Sequence, residues 1–225
     1  MLSTILSLHA MAWRTTVELA PFPAGCDISG MKRILLFCVM VLGLAVSASA
    51  QANNPYDRLP HVPSFTVTST DVRNGARMPM DQMSGVFGAG GKDISPQLSW
   101  KGFPAGTRSF VVTMYDPDAP TASGFWHWAV VDIPPDVTSL PSGAGDQNGT
   151  GIPAPAFQLP NDARMAQYVG AAPPPGNGRH NYYIVVHAVD VPSLGLGKDA
   201  TPGMLGFNLF SHTLARAMIV AWAER

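Results

Sequence analysis

Glycine and proline set the first limit on this chain. There are 22 glycines and 21 prolines in 225 residues, spread along most of its length. Proline breaks a helix interior and glycine weakens one. Few windows long enough for a helix escape both, which favours short strands joined by many turns. The apolar residues fit that expectation. Ser64–Ser69 alternates apolar and polar residues, the pattern of a half-buried strand. Ser109–Asp116 is the clearest strand: Phe110, Val112, Met114 and Asp116 share one face at period two. Phe125–Ile133 is apolar on both faces, as in a strand covered on both sides, and Tyr182–Asp190 is a third strand with Tyr182, Ile184, Val186 and Ala188 on one face. Strict alternation puts His127 with Phe125, Ala129 and Val131, and puts Trp126, Trp128 and Val130 opposite.

The remaining segments complete the expected architecture. Ile94–Trp100 reads as a short strand bent by Pro96. Asn74–Lys92 and Pro134–Pro175 lack a sustained period and read as loops. In Met204–Ala223, residues Leu205, Leu209, Leu214, Met218 and Val220 follow an approximate helical spacing after Pro202-Gly203, which predicts a C-terminal helix. Strands that follow one another without intervening helices predict a mainly β fold. The expected form is an antiparallel β-sandwich with short peripheral helices and that C-terminal helix.

The N-terminus has a different composition. Met31-Lys32-Arg33 precedes an apolar run, Ile34–Val46, and then Ser47-Ala48-Ser49-Ala50. A positive start, an apolar centre and small residues at the end are the parts of a secretory signal peptide. Cleavage is expected after Ala50. The run is shorter than the ~20 residues of a membrane span. Residues 1–30 then read as an upstream extension from a misassigned start, with translation beginning at Met31. The expected organisation is this extension, a signal peptide at 31–50, a linker at 51–63 and one domain at 64–225. The expected address is periplasmic or secreted. Cleavage also removes Cys26 and Cys38, so disulfides and thiolate chemistry are not expected in the mature protein.

Charge excludes one class of partner. The formal net charge is -1 and only 13% of residues are charged, so there is no electrostatic footprint for nucleic acid. The ionisable residues that stand out lie at the edges of the strands. Asp116-Pro117-Asp118-Ala119-Pro120 follows one strand, His127 lies in the next, and Arg179-His180-Asn181-Tyr182 opens a third. Such a set suits a small polar pocket at a sheet rim, with phosphate-like anions as guests. Histidine, tyrosine and backbone N–H groups supply donors. An aspartate that accepts a hydrogen bond from histidine favours the protonated ring. Each residue has a plainer reading too. A histidine beside tryptophans packs in a core, Asp118 caps a turn, Trp126 and Trp128 fill the interior, and Tyr182 starts a strand. Asp116, His127 and His180 also form a possible two-histidine-one-carboxylate set. No His-x-x-x-His spacing supports a metal, and no Gly-x-Ser-x-Gly elbow supports a hydrolase. The expectation is a non-enzyme without cofactor.

Five segments in order resemble the phosphatidylethanolamine-binding protein family, in its bacterial Raf-kinase-inhibitor-like branch. They are Asp93–Trp100, Ser109–Pro120, Gly124–Trp128, Gly170–Gly176 with Arg179-His180, and Gly206-Phe207-Asn208. The resemblance runs from about Phe65 to Trp222. It implies a sandwich of antiparallel sheets and an anion pocket lined or supported by Asp116, Asp118, Pro120, Trp126, His127, His180 and Tyr182. It further implies binding of a phosphate-bearing small molecule or lipid head group, or else regulation of a partner protein such as a kinase or protease. One position departs: Asn181 stands where the family commonly has arginine. No amphipathic cationic helix points to strong membrane association.

Overall fold

The computed structural model describes residues 54–225. The expected upstream extension, signal peptide and first linker residues lie outside that range. Eight strands and one α-helix follow: β1 (Thr66–Thr68), β2 (Leu98–Lys101), β3 (Ser109–Asp116), β4 (Phe125–Ile133), β5 (Ser139–Leu140), β6 (Phe157–Gln158), β7 (His180–Val189), α1 (Pro202–His212) and β8 (Thr213–Ala223). They form two sheets, ordered β1-β2-β5 and β6-β4-β3-β7-β8, and every named pairing is antiparallel. The mainly β antiparallel expectation is the observed fold.

One face of the five-stranded sheet meets the three-stranded sheet. Phe110, Val112, Met114, Trp128, Val130, Ile184 and Val186 share a buried cluster with Leu98, Trp100 and Leu140. The other face is covered by α1 and by the chain before it, through Leu205, Leu209 and Leu194 against Val111, Ala129 and Val131. The Pro55–Arg58 turn covers the same sheet face further along, with Tyr56 against Tyr183 and Val185. Part of the segment expected as a linker is therefore packed.

The C-terminal helix is shorter than expected. α1 starts where Pro202-Gly203 predicts, capped by the Thr201 hydroxyl, which accepts from the Met204 amide at 3.2 Å. It stops at His212, and Thr213–Ala223 is strand β8, paired along β7 from His180 to Val189. Leu214, Met218 and Val220 imitate a helical stripe. Ala215, Ala217, Ile219, Ala221 and Ala223 alternate, and these five are buried at period two. The unpaired edge of β7 outweighs the helix propensity of four alanines. The outer edge of β8 is covered in turn, by parallel bridges from Ser64 to Arg216 and from Arg77 to Trp222.

Two irregularities in the β3–β4 ladder change which side chains face where. Val112 pairs with Val130 but Phe110 with Ile133, and Asp132 sits there at φ 59. Its carboxylate holds the Ser193 hydroxyl at 2.6 Å and the Leu194 amide at 3.0 Å. The second irregularity matters more. Met114 pairs with Trp128 and Tyr115 with Trp126, so His127 has no opposite number. An extra residue in one strand resets the alternation beyond it. Trp128 and Val130 therefore face the inter-sheet core together, but Trp126, expected with them, lies on the opposite face, and His127 is turned to the inter-sheet side with Phe125 and away from Ala129 and Val131. The strict alternation read from the sequence fails at this residue.

Candidate functional site

The bulge brings His127 to the rim where β3, β4 and β7 end. There a cavity of about 160 Å³ is lined by Asp116, His127 and His180, with Phe87, Phe125 and Pro174 among its apolar walls. Pro120 and Thr121 close one side. Four of the seven expected residues, Asp116, Pro120, His127 and His180, thus share one cavity.

The other three stand differently. Tyr182 is fully buried beneath it, its ring 5.3 Å from that of His127 and nearly perpendicular. The Tyr182 hydroxyl has no hydrogen-bond partner among the described residues, and burial followed by the Asp116 charge raises its pKa. Asp118 points away from the cavity: its Oδ2 accepts from the Asn181 amide at 2.8 Å and from Asn181 Nδ2 at 2.9 Å. Trp126 lies on the opposite face of the sheet, its ring centroid 4.4 Å from that of Tyr115. Ordinary alternation already puts Trp126 and His127 on different faces, and the bulge separates Trp126 from Trp128.

The polar centre is the Asp116–His180 pair. Asp116 is 3% exposed and His180 1% exposed. Asp116 Oδ2 lies 2.8 Å from His180 Nδ1, and Oδ1 accepts from the Asp118 amide at 2.9 Å. Burial pushes the Asp116 carboxyl above its ordinary range, and the His180 bond pulls it back. The second ring nitrogen of His180, Nε2, lies 2.7 Å from Asn177 Oδ1. Both oxygens are acceptors, so a ring that donates to both carries two protons. With the Asn177 amide turned over, a neutral ring fits instead. An anion that takes Nε2 has to displace Asn177 in either case.

His127 behaves differently. Its Nδ1 lies 2.9 Å from the Val169 carbonyl oxygen and donates to it. Burial pushes its pKa down to about 4, so at neutral pH Nε2 carries a lone pair. One histidine is placed to donate and the other to accept.

The walls come from segments that lack periodicity. Asp93 ties two of them together: its Oδ2 accepts from the Gly85 and Val86 amides at 2.8 and 2.9 Å, and its Oδ1 from the Gly170 amide at 2.7 Å. Arg225 joins the loops on the other side. Its Nε donates to the Pro173 carbonyl at 2.9 Å and its Nη1 to the Gly88 carbonyl at 2.6 Å. Pro173 and Gly88 adjoin the cavity-lining Pro174 and Phe87. Phe87, Asn177 and Arg225 are not distinguished by periodicity. Only the conspicuous Pro-Pro-Pro-Gly-Asn-Gly run signals one of these loops. Arg179, next to His180, stacks over Trp222 with its guanidinium carbon 4.6 Å from the ring centroid. Asn181 faces Asp118, so the departure from arginine lies beside the cavity and not in its lining.

Among the described residues no group of three His, Cys, Asp or Glu side chains is arranged to hold a metal ion. No helix among them is long and apolar enough to cross a membrane.

Known proteins share this fold and much of the sequence. The family model for phosphatidylethanolamine-binding proteins matches residues 68–223. The YbhB protein of Escherichia coli is 44% identical over 153 residues, 68% of this chain and 96% of its own length. YbcL of the same organism is 41% identical over 156 residues, 69% of this chain and 85% of its own length. The crystal structure of YbcL, described as a member of the mammalian family, superposes with a TM-score of 0.70, covering 72% of this chain and 99% of that one. A homologue from Chlamydia trachomatis, 27% identical, superposes with a TM-score of 0.60 over 72% of this chain and 98% of its own. With the family match spanning most of the chain and the same fold in its relatives, this protein belongs to the phosphatidylethanolamine-binding protein family.

Proposed function

We propose that the protein is a non-enzymatic binding protein whose rim cavity takes the phosphate of a small molecule or lipid head group. The observation that carries this reading is the buried Asp116–His180 pair in a small cavity with apolar walls. The carboxylate holds Nδ1 at 2.8 Å and so orients the ring, whose Nε2 then faces a phosphate oxygen as a donor. Phe87, Phe125 and Pro174 keep water away from that contact, which strengthens it. His127 Nε2 accepts the hydrogen of a singly protonated phosphate. The second proton of a phosphate monoester leaves near pH ~6. Binding is therefore strongest in mild acid.

The test is a phosphorus NMR titration of residues 51–225 with phosphoethanolamine, beside His180→Ala and Asp116→Asn. Saturable broadening that weakens from pH 5.5 to pH 8 is expected, with loss in His180→Ala. Near-UV circular dichroism reports whether each variant keeps its packed tryptophans. An affinity that is flat from pH 5 to 8, or that survives His180→Ala, refutes the reading. Export to the periplasm or beyond is part of the proposal, supported by the signal-like run Met31–Ala50. Mass spectrometry of the exported protein should give Gln51 as its first residue.

A further inference from the structure

The far face of the five-stranded sheet carries another cavity, of about 220 Å³. Its wall includes the rings of Tyr56, Tyr115, Trp126 and Phe210, with Leu209 and Arg216. For scale, a dry apolar cavity of ~150 Å³ admits a benzene ring. Most of this wall is apolar, and aromatic walls of this kind receive an apolar body.

Arg216 is the unusual member. It is 9% exposed, and no carboxylate among the described residues lies within ion-pair distance of it. Its Nη1 reaches the Pro60 carbonyl at 3.3 Å, while its Nε is buried without a hydrogen-bond partner. Its guanidinium carbon stands 5.9 Å from the Tyr56 ring centroid. The Tyr56 hydroxyl is also buried without a partner. His187, which shares the cavity, is held neutral by burial and by Arg216. Asp162, the carboxylate at the Trp126 end, is engaged on the Trp126 amide at 2.8 Å. A cation so placed costs free energy that an arriving anion offsets.

We propose that this cavity is a second ligand site, for an amphipathic monocarboxylate whose head group pairs with Arg216 and whose hydrocarbon body lies among Tyr56, Trp126, Leu209 and Phe210. Arginine suits this role because its planar fork matches a carboxylate. Met204 and Phe207 lie outside the cavity and are exposed, at intervals of three along α1 leading to the wall residue Phe210. They give a longer chain an apolar surface on which to continue. The site is independent of the phosphate reading: it lies on the opposite sheet face and uses none of the same residues.

Octanoate and octanol are the probes, since they share a chain and differ in charge. Calorimetric titration of residues 51–225 is expected to show saturable octanoate binding, about tenfold tighter than octanol. Arg216→Met should abolish that preference. Gly206→Leu blocks the cavity: Gly206 lines it, and a Cβ there meets nothing within 4 Å. Leucine also favours the helix over glycine, so this variant keeps the test alive if Arg216→Met does not fold. It should weaken octanoate by about tenfold or more, while phosphoethanolamine binding stays unchanged. The proposal is overturned by absent octanoate binding, by equal affinity for octanol, or by octanoate binding that survives Gly206→Leu. Competition between octanoate and phosphoethanolamine overturns it too, because it would place octanoate in the rim cavity.

Discussion

Mild acid should destabilise the unliganded protein, and two histidines set the size of the effect. His127 and His187 are 4% and 2% exposed, and burial pushes their pKa values down to about 4 and about 3. In the unfolded chain both titrate near ~6.5. As the pH falls, the unfolded state therefore takes up protons before the folded state does. Stability that is present above pH ~6.5 drains away from there down to the folded values. At pH 5 each histidine is about 1.5 pH units below its unfolded pKa, and each unit is worth ~1.4 kcal/mol. The loss is roughly 2 kcal/mol per histidine and about 4 kcal/mol for both. Asp116 opposes this. Its raised pKa means that the folded state holds the proton more tightly, so its contribution is present in acid and lost as pH rises through the folded value. The assay is urea unfolding followed by tryptophan fluorescence at pH 7 and pH 5, on the wild type and on His187→Leu. His187 lies outside the rim cavity, so its replacement removes one titrating group without touching that site. The loss between the two pH values should fall by roughly half, about 2 kcal/mol. An identical loss in the variant, or a wild type more stable at pH 5, would refute the reasoning.

Arg225→Ala removes the two bonds that join the cavity-wall loops, and phosphoethanolamine affinity should fall by about tenfold; an unchanged phosphorus NMR titration would show that the walls hold without it. Asn181→Arg should pair with the partly solvated Asp118 and raise the urea midpoint by an amount worth at most ~1 kcal/mol. Phosphoethanolamine affinity should stay within about twofold, because position 181 faces Asp118 and not the cavity. Gly170→Ala would drive a Cβ into the Met83 carbonyl, where the two loops cross. Backbone has to shift there, and a thermal melt should show a cost of about 3 kcal/mol or more.

The strands were legible because burial writes itself at period two. Phe110, Val112 and Met114 announce β3, and β7 announces itself the same way. Two kinds of feature resisted that reading. The first is a change of phase. Nothing in Phe125-Trp126-His127-Trp128 marks the extra residue, since all four side chains are aromatic or ring-bearing and suit either face. The expected grouping of His127 with Ala129 and Val131 therefore fails while that with Phe125 holds, and its place beside Asp116 and His180 came from motif resemblance. The second is an ambiguous propensity. Alanine at every other position satisfies a strand with a close neighbour, yet alanine is also the best helix former. Only the pairing with β7 decides the matter. The cavity walls illustrate a third difficulty. Phe87 and Pro174 lie 87 residues apart in irregular segments, and Asp93 and Arg225 position such loops through backbone contacts that no periodicity encodes.

The bulge at His127 makes the end of this sheet behave like a reading frame. Tyr115 and Asp116 are neighbours but serve opposite cavities, and so are Trp126 and His127. Substitution at any one of these positions can retune one cavity and leave the other alone. Deleting His127 itself would remove the extra residue and return the ladder to regular alternation, so the rim cavity would lose its acceptor while Trp126 stays opposite Tyr115 on the other face.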